Sequence, residues 1–364
     1  MNGRELYCYH QKKEDITEGK NVIELVEEEI DKQARLDDEN TNSGFVLLKK
    51  QPSFNVYKKT VREIVTLNDT EKLLNSLNAY YKGYKNSRGL IGATASISWD
   101  NENDHTFEII AYREEKKWGS NRFVDDDSTK KMDKKFLSTF DNFDYKNKHN
   151  RLVPSSPCPV LIGIRGDDEK DLVKAKSMIK SEKVDGWILF ETNQGTDDHL
   201  QSKKIRDVVA YDSVIVEGTV DKPPQTIKGG HVIFSIRDET GSIDCAAYEP
   251  TKDFRNIIRQ LTEGDFVEVY GGVRERPLTV NLEKIRIKKL VKKYEKIENP
   301  VCPKCGKHMK SKGKNQGFKC KKCGKSEDKP IFREEKRRLN PGLYEVPVCA
   351  RRHLSKPLKR FEER

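Results

Sequence analysis

The 364-residue sequence predicts an α+β protein of several domains, with a ferredoxin-like α/β domain, an OB-fold β-barrel and a C-terminal zinc ribbon in chain order. Three observations predict it. The chain is long enough for two to three domains of ordinary size. Its predicted strands and helices follow the element orders of a ferredoxin-like domain and of an OB-fold. Two Cys-x2-Cys pairs come after them. Because hydrophobic residues make up 34% and charged residues 35% of the chain, with a mean hydropathy of −0.84, each core must be modest.

The sequence excludes a membrane-spanning helix. The longest apolar runs, such as Pro159–Ile164 and Gly186–Phe190, are far shorter than the ~20 residues that a bilayer span requires. The first residues, Met1–Tyr7, lack the apolar stretch of a signal peptide. We therefore expect a cytoplasmic protein with no membrane partner.

The N-terminal region holds one clear helix, predicted over Asn21–Ala34, and little that could close a core around it. Residues 1–55 are therefore interpreted as a piece of a larger domain. A second helix is predicted over Leu67–Lys85, where apolar residues recur near helical spacing after a plausible capping segment. Two strands, Ala93–Trp99 and Thr106–Arg113, are predicted to follow.

A compact β-α-β unit comes next. It consists of a strand at Pro159–Ile164, a helix at Glu169–Ile179 and a strand at Gly186–Phe190. Together with the preceding elements, this order suits a ferredoxin-like sandwich. We assign residues 56–205 to this region.

Residues 206–295 have the element order of an OB-fold, which is three strands, a helix and two strands. Such barrels bind single-stranded nucleic acid by stacking bases on aromatic side chains beside a basic groove. The predicted elements are the strands Ser213–Val220, His231–Arg237, Ser242–Tyr248, Phe266–Gly271 and Leu278–Lys288 and the helix Thr251–Leu261.

Several residues of this barrel have types that suit nucleic-acid binding. The candidates are Phe234, Tyr248 and Arg274, with Tyr270 and Arg276 beside them. Aromatic residues on strands also fill barrel interiors, so the alternative for each aromatic is a place in the core.

Four cysteines form two knuckles, Cys302-Pro-Lys-Cys305 and Cys320-Lys-Lys-Cys323, each followed by a glycine. Each knuckle turns the chain so that two thiolates converge, and four sulfurs complete a tetrahedral zinc site with no open position. The zinc is therefore predicted to be structural, in a ribbon assigned to residues 296–330. Two disulfides are the alternative, but a chain with no secretion signal is expected in a reducing compartment.

Positive charge is concentrated after residue 300. Between Val301 and Arg364 there are twenty Lys and Arg against seven Asp and Glu, whereas the rest of the chain has fifty against fifty-two. A near-neutral body with a basic end is expected of a protein that meets a polyanion there. The alternative is a solvated Lys-rich tail without a partner. Residues 331–364 are assigned to a basic C-terminal tail. Together with the barrel, the charge distribution favours RNA.

Two short segments combine an arginine with glycines at predicted strand ends. They are Arg88-Gly89-Leu90-Ile91-Gly92 and Gly163-Ile164-Arg165-Gly166. Close backbone approach beside an arginine can cradle a phosphate, but neither segment is a known nucleotide motif and ordinary turns explain both equally well.

Other clusters are dense in carboxylates and amides. The segments Asp37–Asn42 and Thr192–His199 have the oxygen ligands that would suit magnesium or a cationic substrate, whereas a solvated loop is the alternative for each. The run Asp125–Asp127 is interpreted as a solvated loop.

Five sequence motifs along the chain carry a resemblance to a known family. They are Arg88–Gly92, Phe140–Tyr145, Pro157–Leu161 with Gly163–Gly166, Thr192–His199 and Ala350–Leu358. In this order they resemble the archaeal tRNA-isoleucine 2-agmatinylcytidine synthetase family. The resemblance spans essentially the whole chain.

The resemblance implies a layout and an activity. The layout is a kinase-like domain, of which residues 1–55 would be a remnant, followed by a ferredoxin-like domain, an OB-fold and a zinc ribbon. The activity is ATP-dependent attachment of agmatine to the wobble cytidine of the isoleucine tRNA with anticodon CAU, so that the anticodon reads AUA. It implies ATP and Mg²⁺ beside the structural Zn²⁺, with the tRNA and agmatine as partners.

Residue type and place in family-like motifs select the candidate site. Agmatine is a dication, so its pocket should offer carboxylates and amides, here from Asp141, Asp144, Asn193 and Asp197. The candidates for substrate and nucleotide are Arg88, Gly89, Asp141, Asp144, Arg165, Asn193 and Asp197, and Arg351 and Arg352 join Phe234, Tyr248 and Arg274 as candidates for RNA.

One departure from the family pattern bears on catalysis. Family members open with a Gly-Ile-Asp-Asp-Thr-Asp segment, an acidic magnesium and nucleotide site, and the printed sequence has no such segment. The catalytic residues therefore stay unassigned, and we expect no agmatidine from this chain alone. A separate N-terminal polypeptide or a longer product would restore the activity.

Two further functions stay open at this stage. The first is a non-catalytic protein that binds tRNA or single-stranded nucleic acid with the ferredoxin-like domain, barrel and ribbon. The second is a single-stranded DNA-binding or transcription-type zinc-ribbon protein, which explains the basic end but leaves the upstream clusters unused.

Overall fold

The structure of the chain is a computed structural model that describes residues 7–8, 19–34, 36–37, 41–156, 158–313, 316–329 and 331–361. Half of the predicted cluster 37–42, residues 38–40, lies outside these residues. None of the helices in the described ranges is long and apolar enough to cross a membrane.

The N-terminal part is a small α/β layer. The helix predicted over Asn21–Ala34 is confirmed with slightly different ends. In chain order the elements are β1 (Tyr7–Cys8), α1 (Gly19–Gln33), β2 (Gly44–Leu47), α2 (Phe54–Arg62), α3 (Leu67–Ser76), β3 (Tyr80–Gly83) and α4 (Gly89–Ile97).

The helix predicted over Leu67–Lys85 is shorter than expected. Thr66 caps α3 by accepting a hydrogen bond from the backbone N–H of Asp69 at 3.1 Å, and the helix ends at Ser76. Asn78 then adopts a left-handed backbone conformation with φ of 50°, which reverses the chain into β3. Strand β3 pairs antiparallel with β2.

The strand predicted over Ala93–Trp99 is wrong, because this segment lies mostly in helix α4. Its small residues let the helix pack closely against β2. A Cβ added to Gly89 would stand 2.2 Å from the carbonyl oxygen of Asn42. Leu90 and Ala95 are buried in this packing. Close packing of a small-residue helix therefore outweighs the local strand-like pattern.

The ferredoxin-like domain is built on a five-stranded sheet. The predicted strands Thr106–Arg113, Pro159–Ile164 and Gly186–Phe190 and the predicted helix Glu169–Ile179 are all confirmed with small differences at their ends. Its elements are β4 (Thr106–Arg113), α5 (Asp126–Lys135), β5 (Thr139–Phe140), β6 (Phe143–Asp144), β7 (His149–Asn150), β8 (Val160–Gly166), α6 (Glu169–Met178) and β9 (Val184–Thr192).

The sheet has the strand order β1-β9-β4-β8-β5, with antiparallel pairing throughout. Helix α6 packs on β4 and β8 and buries Leu172 and Ala175 against Ile109 and Ile164. The run Asp125–Asp127 is not the solvated loop expected. Asp125 caps α5 by accepting from the backbone N–H of Ser128 at 2.7 Å.

The barrel has the five strands expected of an OB-fold. Its helix is shorter than the predicted Thr251–Leu261, since the chain first makes a 3₁₀ turn. The elements are β10 (Gln201–Ser202), β11 (Ser213–Thr226), β12 (Val232–Arg237), β13 (Ser242–Ala247), α7 (Phe254–Ile258), β14 (Phe266–Arg274) and β15 (Thr279–Lys289).

The barrel closes because β11 pairs with both β12 and β14, and β15 pairs with both β14 and β13. Alternate residues of these strands point inward and form the largest apolar core within the described ranges. Inward residues include Val216, Phe234, Val269 and Ile285.

The zinc ribbon and the final segment complete the described chain. Their elements are β16 (Lys293–Glu298), β17 (Lys310–Ser311), β18 (Phe318–Lys319), β19 (Ser326–Glu327), β20 (Ile331–Glu335) and β21 (Gly342–Glu345). Strands β16 and β20 form a two-stranded sheet, and β17, β18 and β19, which lie between them in the chain, form a small three-stranded sheet.

The segment expected to be a basic tail is folded onto the rest of the protein. Strand β21 pairs antiparallel with β15 of the barrel. Residues 346–361, which we call the C-terminal strap, then run from the barrel to the ferredoxin-like domain. There Lys359 donates a hydrogen bond to the carbonyl oxygen of Thr139. The strap thus connects the two domains.

Candidate functional site

The loop 192–199, which follows β9, is the place where three parts of the protein meet. It was selected from the sequence as a candidate site through Asn193 and Asp197. The loop is almost wholly buried from Thr192 to Thr196. Helix α2, the barrel and the C-terminal strap each bind one side of it, which makes it a junction rather than a solvated loop.

Helix α2 holds the loop through Tyr57 and Arg62. The Tyr57 hydroxyl donates to Asp198 Oδ2 at 2.7 Å and accepts from Asn193 Nδ2 at 2.8 Å. Arg62 Nε donates to the carbonyl oxygen of Asp198 at 2.8 Å. Burial raises the pKa of the Asp198 carboxyl, although the Tyr57 hydroxyl opposes this. Asn193 is therefore engaged in the junction.

The barrel holds the loop through two adjacent residues of β15. Lys284 Nζ donates to Asp197 Oδ1 at 2.7 Å, and its side chain is 0% exposed. Glu283 Oε2 lies 3.1 Å from His199 Nε2. Burial alone would raise the pKa of Glu283, but the hydrogen bond with His199 and the nearby positive charges outweigh it and lower the pKa to about 2.

The strap holds the loop mainly through its backbone. The N–H of Gly195 donates to the carbonyl oxygen of His353 at 2.7 Å, and the N–H of Asp197 donates to that of Leu354 at 2.8 Å. The N–H of Lys356 donates to Asp197 Oδ1 at 2.7 Å. The Asp197 carboxylate therefore already has a cation and a backbone donor as partners.

Arg360 fastens the end of the strap. Its guanidinium donates to Asp104 Oδ1 at 2.7 Å and to the carbonyl oxygens of Gly195 and His105. Lys356 Nζ donates to the other oxygen of Asp104 at 2.8 Å. Burial raises the pKa of Asp104, but these two cations outweigh it and the pKa is lowered.

A β-bulge in β15 directs Glu283 and Lys284 toward the loop. Along the β14–β15 ladder, Tyr270 pairs with Lys284 and Gly271 pairs with Leu282, so Glu283 has no partner across the ladder. A bulge inserts one residue and changes which face the following side chains occupy. A Cβ added to Gly271 would stand 2.0 Å from the carbonyl oxygen of Asn281, so the close approach there requires glycine.

The bulge residue Glu283 also lines a cavity of about 580 Å³ between the barrel and the strap. Three arginines face it, and Arg352 Nη1 also donates to Glu283 Oε1 at 3.0 Å. The residues that line it include Tyr211, Arg274, Arg276, Asn281, Glu283 and Arg352. Arginines beside an exposed tyrosine are suited to the phosphates and bases of RNA.

The three RNA-binding candidates on the barrel differ in how far they are exposed to solvent. Phe234 is 2% exposed inside the barrel core, so the core alternative applies and no base can stack on it. Tyr248 is half-buried and packs edge-on against His231, and its hydroxyl accepts from Arg274 Nη1 at 3.4 Å. Arg274 itself is exposed at the cavity.

Arg351 does not face solvent as an RNA-binding residue would. Its side chain is 6% exposed and pairs with Asp141, and it lies 2.5 Å from Glu345 Oε1. Asp141 is thus paired within the protein. Asp144 is buried, and its carboxylate accepts from the backbone N–H and the side chain of Asn147 at 3.0 and 2.8 Å.

Arg165 belongs to a polar cluster on the sheet. Its Nε donates to Glu108 Oε1 at 3.0 Å, and Gln194 Nε2 donates to Glu108 Oε2 at 2.6 Å. Glu108 is 2% exposed. The cluster therefore attaches the loop residue Gln194 to strands β4 and β8.

Arg88 and Gly89 lie at the start of α4. Arg88 is exposed, and its side chain makes no capping hydrogen bond. The segment Arg88–Gly92 is the start of a helix and not a turn, and the close packing of Gly89 against the chain before β2 gives that glycine a structural reason. Asn193 and Asp197 share the loop 192–199 and Arg165 is joined to that loop through Glu108 and Gln194, whereas Arg88 and Gly89 belong to the N-terminal layer.

The four predicted zinc ligands converge. All four sulfur atoms lie within 4.8 Å of one another, with 3.3 Å between Cys302 and Cys323 and 3.4 Å between Cys305 and Cys320. A tetrahedral zinc with bonds of about 2.3 Å sets its sulfurs about 3.8 Å apart. A disulfide would require about 2.05 Å, so the disulfide alternative is wrong.

The knuckles shift the pKa values of their thiols in opposite directions. The backbone N–H of Cys323, ahead of other contacts, lowers the pKa of the Cys320 thiol to about 6. The backbone N–H of Lys325 acts to lower the pKa of Cys323, but the neighbouring cysteine sulfurs and burial outweigh it and raise that pKa to about 11. No second cluster of three or more potential metal ligands is found in the described part of the chain. The donor set fits a structural zinc, and the loop 192–199 does not form a comparable carboxylate cluster.

Sequence reasoning did not select Lys284, Glu283, Tyr57, Glu108 or Arg360. A signal existed for the first two, since Glu-Lys interrupts the apolar alternation of β15 between Leu282 and Ile285. The partners of the other residues lie far away in sequence, and neither spacing nor composition indicates them.

Comparisons with known protein domains match most of the chain. The TiaS TCKD domain matches residues 1–86 and the TiaS FLD domain residues 87–199. The OB-fold nucleic acid binding domain matches residues 214–288 and the TiaS C-terminal zinc ribbon domain residues 299–339. The predicted domain bounds at 55, 205, 295 and 330 stay a prediction.

Curated relatives and solved structures agree with these matches. The tRNA 2-agmatinylcytidine synthetases TiaS of Methanocaldococcus jannaschii and Methanosarcina mazei are 46% and 44% identical, and the matches cover 96% and 94% of this chain and 83% and 82% of theirs. A crystal structure of TiaS in complex with its isoleucine tRNA and ATP is 40% identical with a TM-score of 0.85, over 94% of this chain and 82% of that one.

A second complex, of TiaS with the same tRNA, AMPCPP and agmatine, is 38% identical with a TM-score of 0.83, over 95% of this chain and 83% of that chain. These likenesses confirm the family resemblance, the OB-fold and the ribbon predicted from the sequence. This chain belongs to the TiaS family of 2-agmatinylcytidine synthetases that act on isoleucine tRNA.

Proposed function

We propose that this chain carries out the ATP-dependent attachment of agmatine to the wobble cytidine of the CAU-anticodon isoleucine tRNA. The observation that carries the proposal is the close likeness, along nearly the full chain, to a TiaS complex that holds isoleucine tRNA, AMPCPP and agmatine together. The product, agmatidine, lets the CAU anticodon read AUA.

The chemistry requires activation of the base before the amine can attack. The cytosine 2-carbonyl oxygen is a poor leaving group, so ATP phosphorylates it. The primary amine of agmatine then attacks C2, phosphate leaves with the former carbonyl oxygen, and the amine nitrogen loses a proton. Such phosphoryl transfer depends mainly on positioning and on charge stabilisation.

The barrel and ribbon would hold the RNA. The basic excess after residue 300 and the cavity lined by Arg274, Arg276 and Arg352 provide positive charge for phosphates. The cytidine must leave its stack to be modified, which a firm grip on the surrounding RNA assists. Zn²⁺ on Cys302, Cys305, Cys320 and Cys323 would shape the ribbon.

The junction around loop 192–199 supports a modified role for the agmatine candidates. Asp141, Asp144, Asn193 and Asp197 each have a partner within the protein. These bonds fix the positions of the four side chains, and the second carboxylate oxygens of Asp141 and Asp197 would be the acceptors for agmatine in the proposed activity. Mg²⁺ with ATP forms part of the proposal, since its charge neutralises the transferred phosphoryl group.

The catalytic acidic motif is also part of the proposal. We propose that a polypeptide with the family's Asp-Asp-Thr-Asp segment supplies the magnesium and nucleotide site. Location in the cytoplasm, where charged tRNA is made and used, accompanies this function.

An assay of purified protein tests the function. The chain is incubated with ATP, Mg²⁺, agmatine and a CAU-anticodon isoleucine tRNA transcript, alone and with an N-terminal fragment of a relative that contains the acidic motif. Mass spectrometry of the nucleosides should show agmatidine only when the fragment is present. A transcript with anticodon GAU is the control.

Two outcomes would contradict parts of the proposal. Product from the chain alone would remove the need for a separate polypeptide. Tight binding of the transcript with no product under either condition would favour the non-catalytic RNA-binding protein.

A further inference from the structure

Lys284 donates three hydrogen bonds to two segments outside its own strand. Its Nζ donates to Asp197 Oδ1 at 2.7 Å in the loop 192–199, and to Ser355 Oγ at 2.9 Å and the carbonyl oxygen of Lys356 at 3.1 Å in the strap. The residue itself belongs to β15 of the barrel. One side chain therefore joins three separate segments.

Full burial makes this contact costly to break. The Lys284 side chain is 0% exposed, and a buried ammonium is stable only when its charge and its hydrogens are all satisfied. If the loop or the strap moved away, the ammonium would lose its carboxylate partner or one of its acceptors. The loop is thus held in one arrangement relative to the barrel.

Glu283, its neighbour on the bulge, extends the connection to the cavity. One carboxylate oxygen accepts from Arg352 at the cavity wall, at 3.0 Å, and the other lies 3.1 Å from His199 of the loop. The Arg352 side chain is 52% exposed, so an RNA phosphate in the cavity can reach it. Residues that face the cavity and residues that hold the loop are therefore adjacent along one strand.

We propose that Lys284 is a positioning residue that couples RNA binding on the barrel to the arrangement of the loop 192–199. The proposal rests on the proposed function for the identity of the RNA. RNA in the cavity stabilises the bulge, and Lys284 transmits this to Asp197 and the strap. Bound RNA therefore holds the loop more firmly in the arrangement described above.

Amide hydrogen exchange on the full chain tests this coupling, with a CAU-anticodon isoleucine tRNA transcript as the probe. In the unchanged protein, the transcript should slow exchange in peptides that cover residues 192–199. Lys284→Met removes the charge and keeps most of the stem. In this variant we expect the loop to exchange about tenfold faster without RNA, and the transcript should no longer slow it.

The variant should still bind the transcript, with a Kd within about threefold of the unchanged protein, because Lys284 is buried and does not face RNA. Lys288→Met is the matched control. Lys288 lies on the same strand but is exposed, and it pairs with Glu217 and Glu268 at the surface. Its loop exchange and its RNA-linked protection should equal those of the unchanged protein.

A double variant keeps the test decisive if Lys284→Met does not fold. Combining it with Asp197→Asn removes both charges and keeps the Oδ1 acceptor for the Lys356 N–H. This protein should bind the transcript and show no RNA-linked protection of the loop. Retained protection in either variant, or no protection in the unchanged protein with RNA bound, would overturn the proposal.

A kinetic measurement separates positioning from a merely structural role. In the agmatidine assay, Lys284→Met should raise the KM for agmatine or lower kcat while the KM for the transcript stays unchanged, and Lys284→Arg should recover part of the loss. Failure of the proposed function is a different result. RNA-linked protection without any agmatidine would contradict the function and leave the coupling supported.

Discussion

At the scale of single residues, the folded protein lowers the pKa values of two side chains at the junction, His353 and Glu283. Burial and then the positive charges of Arg165 and Arg151 lower the pKa of His353 to about 4. The pKa of Glu283 is lowered to about 2 by His199 and Arg352 against the effect of burial. The folded protein therefore favours a neutral His353 and an ionised Glu283.

Both shifts predict that stability falls as the solution is acidified. In the unfolded chain His353 is protonated near its ordinary pKa of about 6.5. Its contribution to the free energy of unfolding is therefore complete above that pH and is lost toward pH 4. The contribution of Glu283 is complete above about pH 4.5 and is lost toward pH 2. Urea unfolding between pH 4 and 7.5 measures the first effect.

The variant His353→Asn is the informative comparison. It should lose the part of the pH dependence that lies between pH 6.5 and 4, because it has no imidazole to protonate. A profile with the same slope as that of the unchanged protein would show that His353 is not responsible.

Residue type correctly indicated where the junction lies, but it did not predict which partners these side chains have. Asn193 and Asp197 were selected as ligands because amides and carboxylates bind cations, and both lie in a buried, highly connected loop. Their partners, Tyr57 and Lys284, stand 136 and 87 residues away. A carboxylate that is paired by such a distant residue looks the same in sequence as one that is free for a ligand.

At the scale of elements, local sequence patterns predicted the strands that pair with their neighbours in the chain. They failed where tertiary packing determines the secondary structure. The five barrel strands and the β8-α6-β9 unit follow from alternation and turn residues. Helix α4 does not, since its residues Ala93–Ile97 read as a strand and form a helix because α2, α3 and β2 surround them. The β-bulge at Glu283 could not be predicted from the sequence either. The only signal was the charged pair Glu283-Lys284, which interrupts the apolar alternation of the strand.

The zinc ribbon is the element whose stability depends most directly on a bound ion. Four thiolates and few apolar residues hold it, since its core consists of the cysteines with Met309 and Phe318. Replacing Cys302 and Cys305 by serine should therefore release one equivalent of zinc and unfold the ribbon. Zinc content is measured by a chromogenic chelator.

The same variant tests the part of the ribbon in RNA binding. Losing the ordered basic surface should weaken binding of the tRNA transcript and reduce the dependence of log K on log salt concentration. Replacing the scattered Cys158 by serine is the control. Equal affinity and an equal salt slope in the double variant would exclude the ribbon from RNA recognition.

At the scale of the whole molecule, the strap makes one unit of the barrel and the ferredoxin-like domain. Basic residues that charge patterning assigned to a polyanion partly serve this purpose, since Arg351, Lys356 and Arg360 pair with acidic residues of the protein. Net charge reports the presence of cations but not whether their partners lie inside or outside the chain.

Arg360→Met tests this linkage. The Arg360 side chain is 7% exposed, and the change leaves Asp104 with one cation partner fewer and two carbonyl oxygens without a donor. We expect a loss of about 2 kcal/mol in the free energy of unfolding and a thermal transition that separates into two. Calorimetry measures both.

Arg206→Met is the matched control, because Arg206 is 69% exposed and its ion pair with Asp207 is 3.7 Å long. Its stability should change by less than about 0.5 kcal/mol. A single transition with unchanged stability in Arg360→Met would mean that the two domains do not depend on the strap.

The position of the strap in the chain also orders events during synthesis. Domains fold largely in the order in which they leave the ribosome, and the strap is made after the ferredoxin-like domain, the barrel and the ribbon. Until then Lys284 lacks Ser355 and Lys356, and Asp104 lacks Arg360. A nascent chain that stops before the strap would consequently carry a loosely joined pair of domains, open to proteases at the loop that the finished protein conceals.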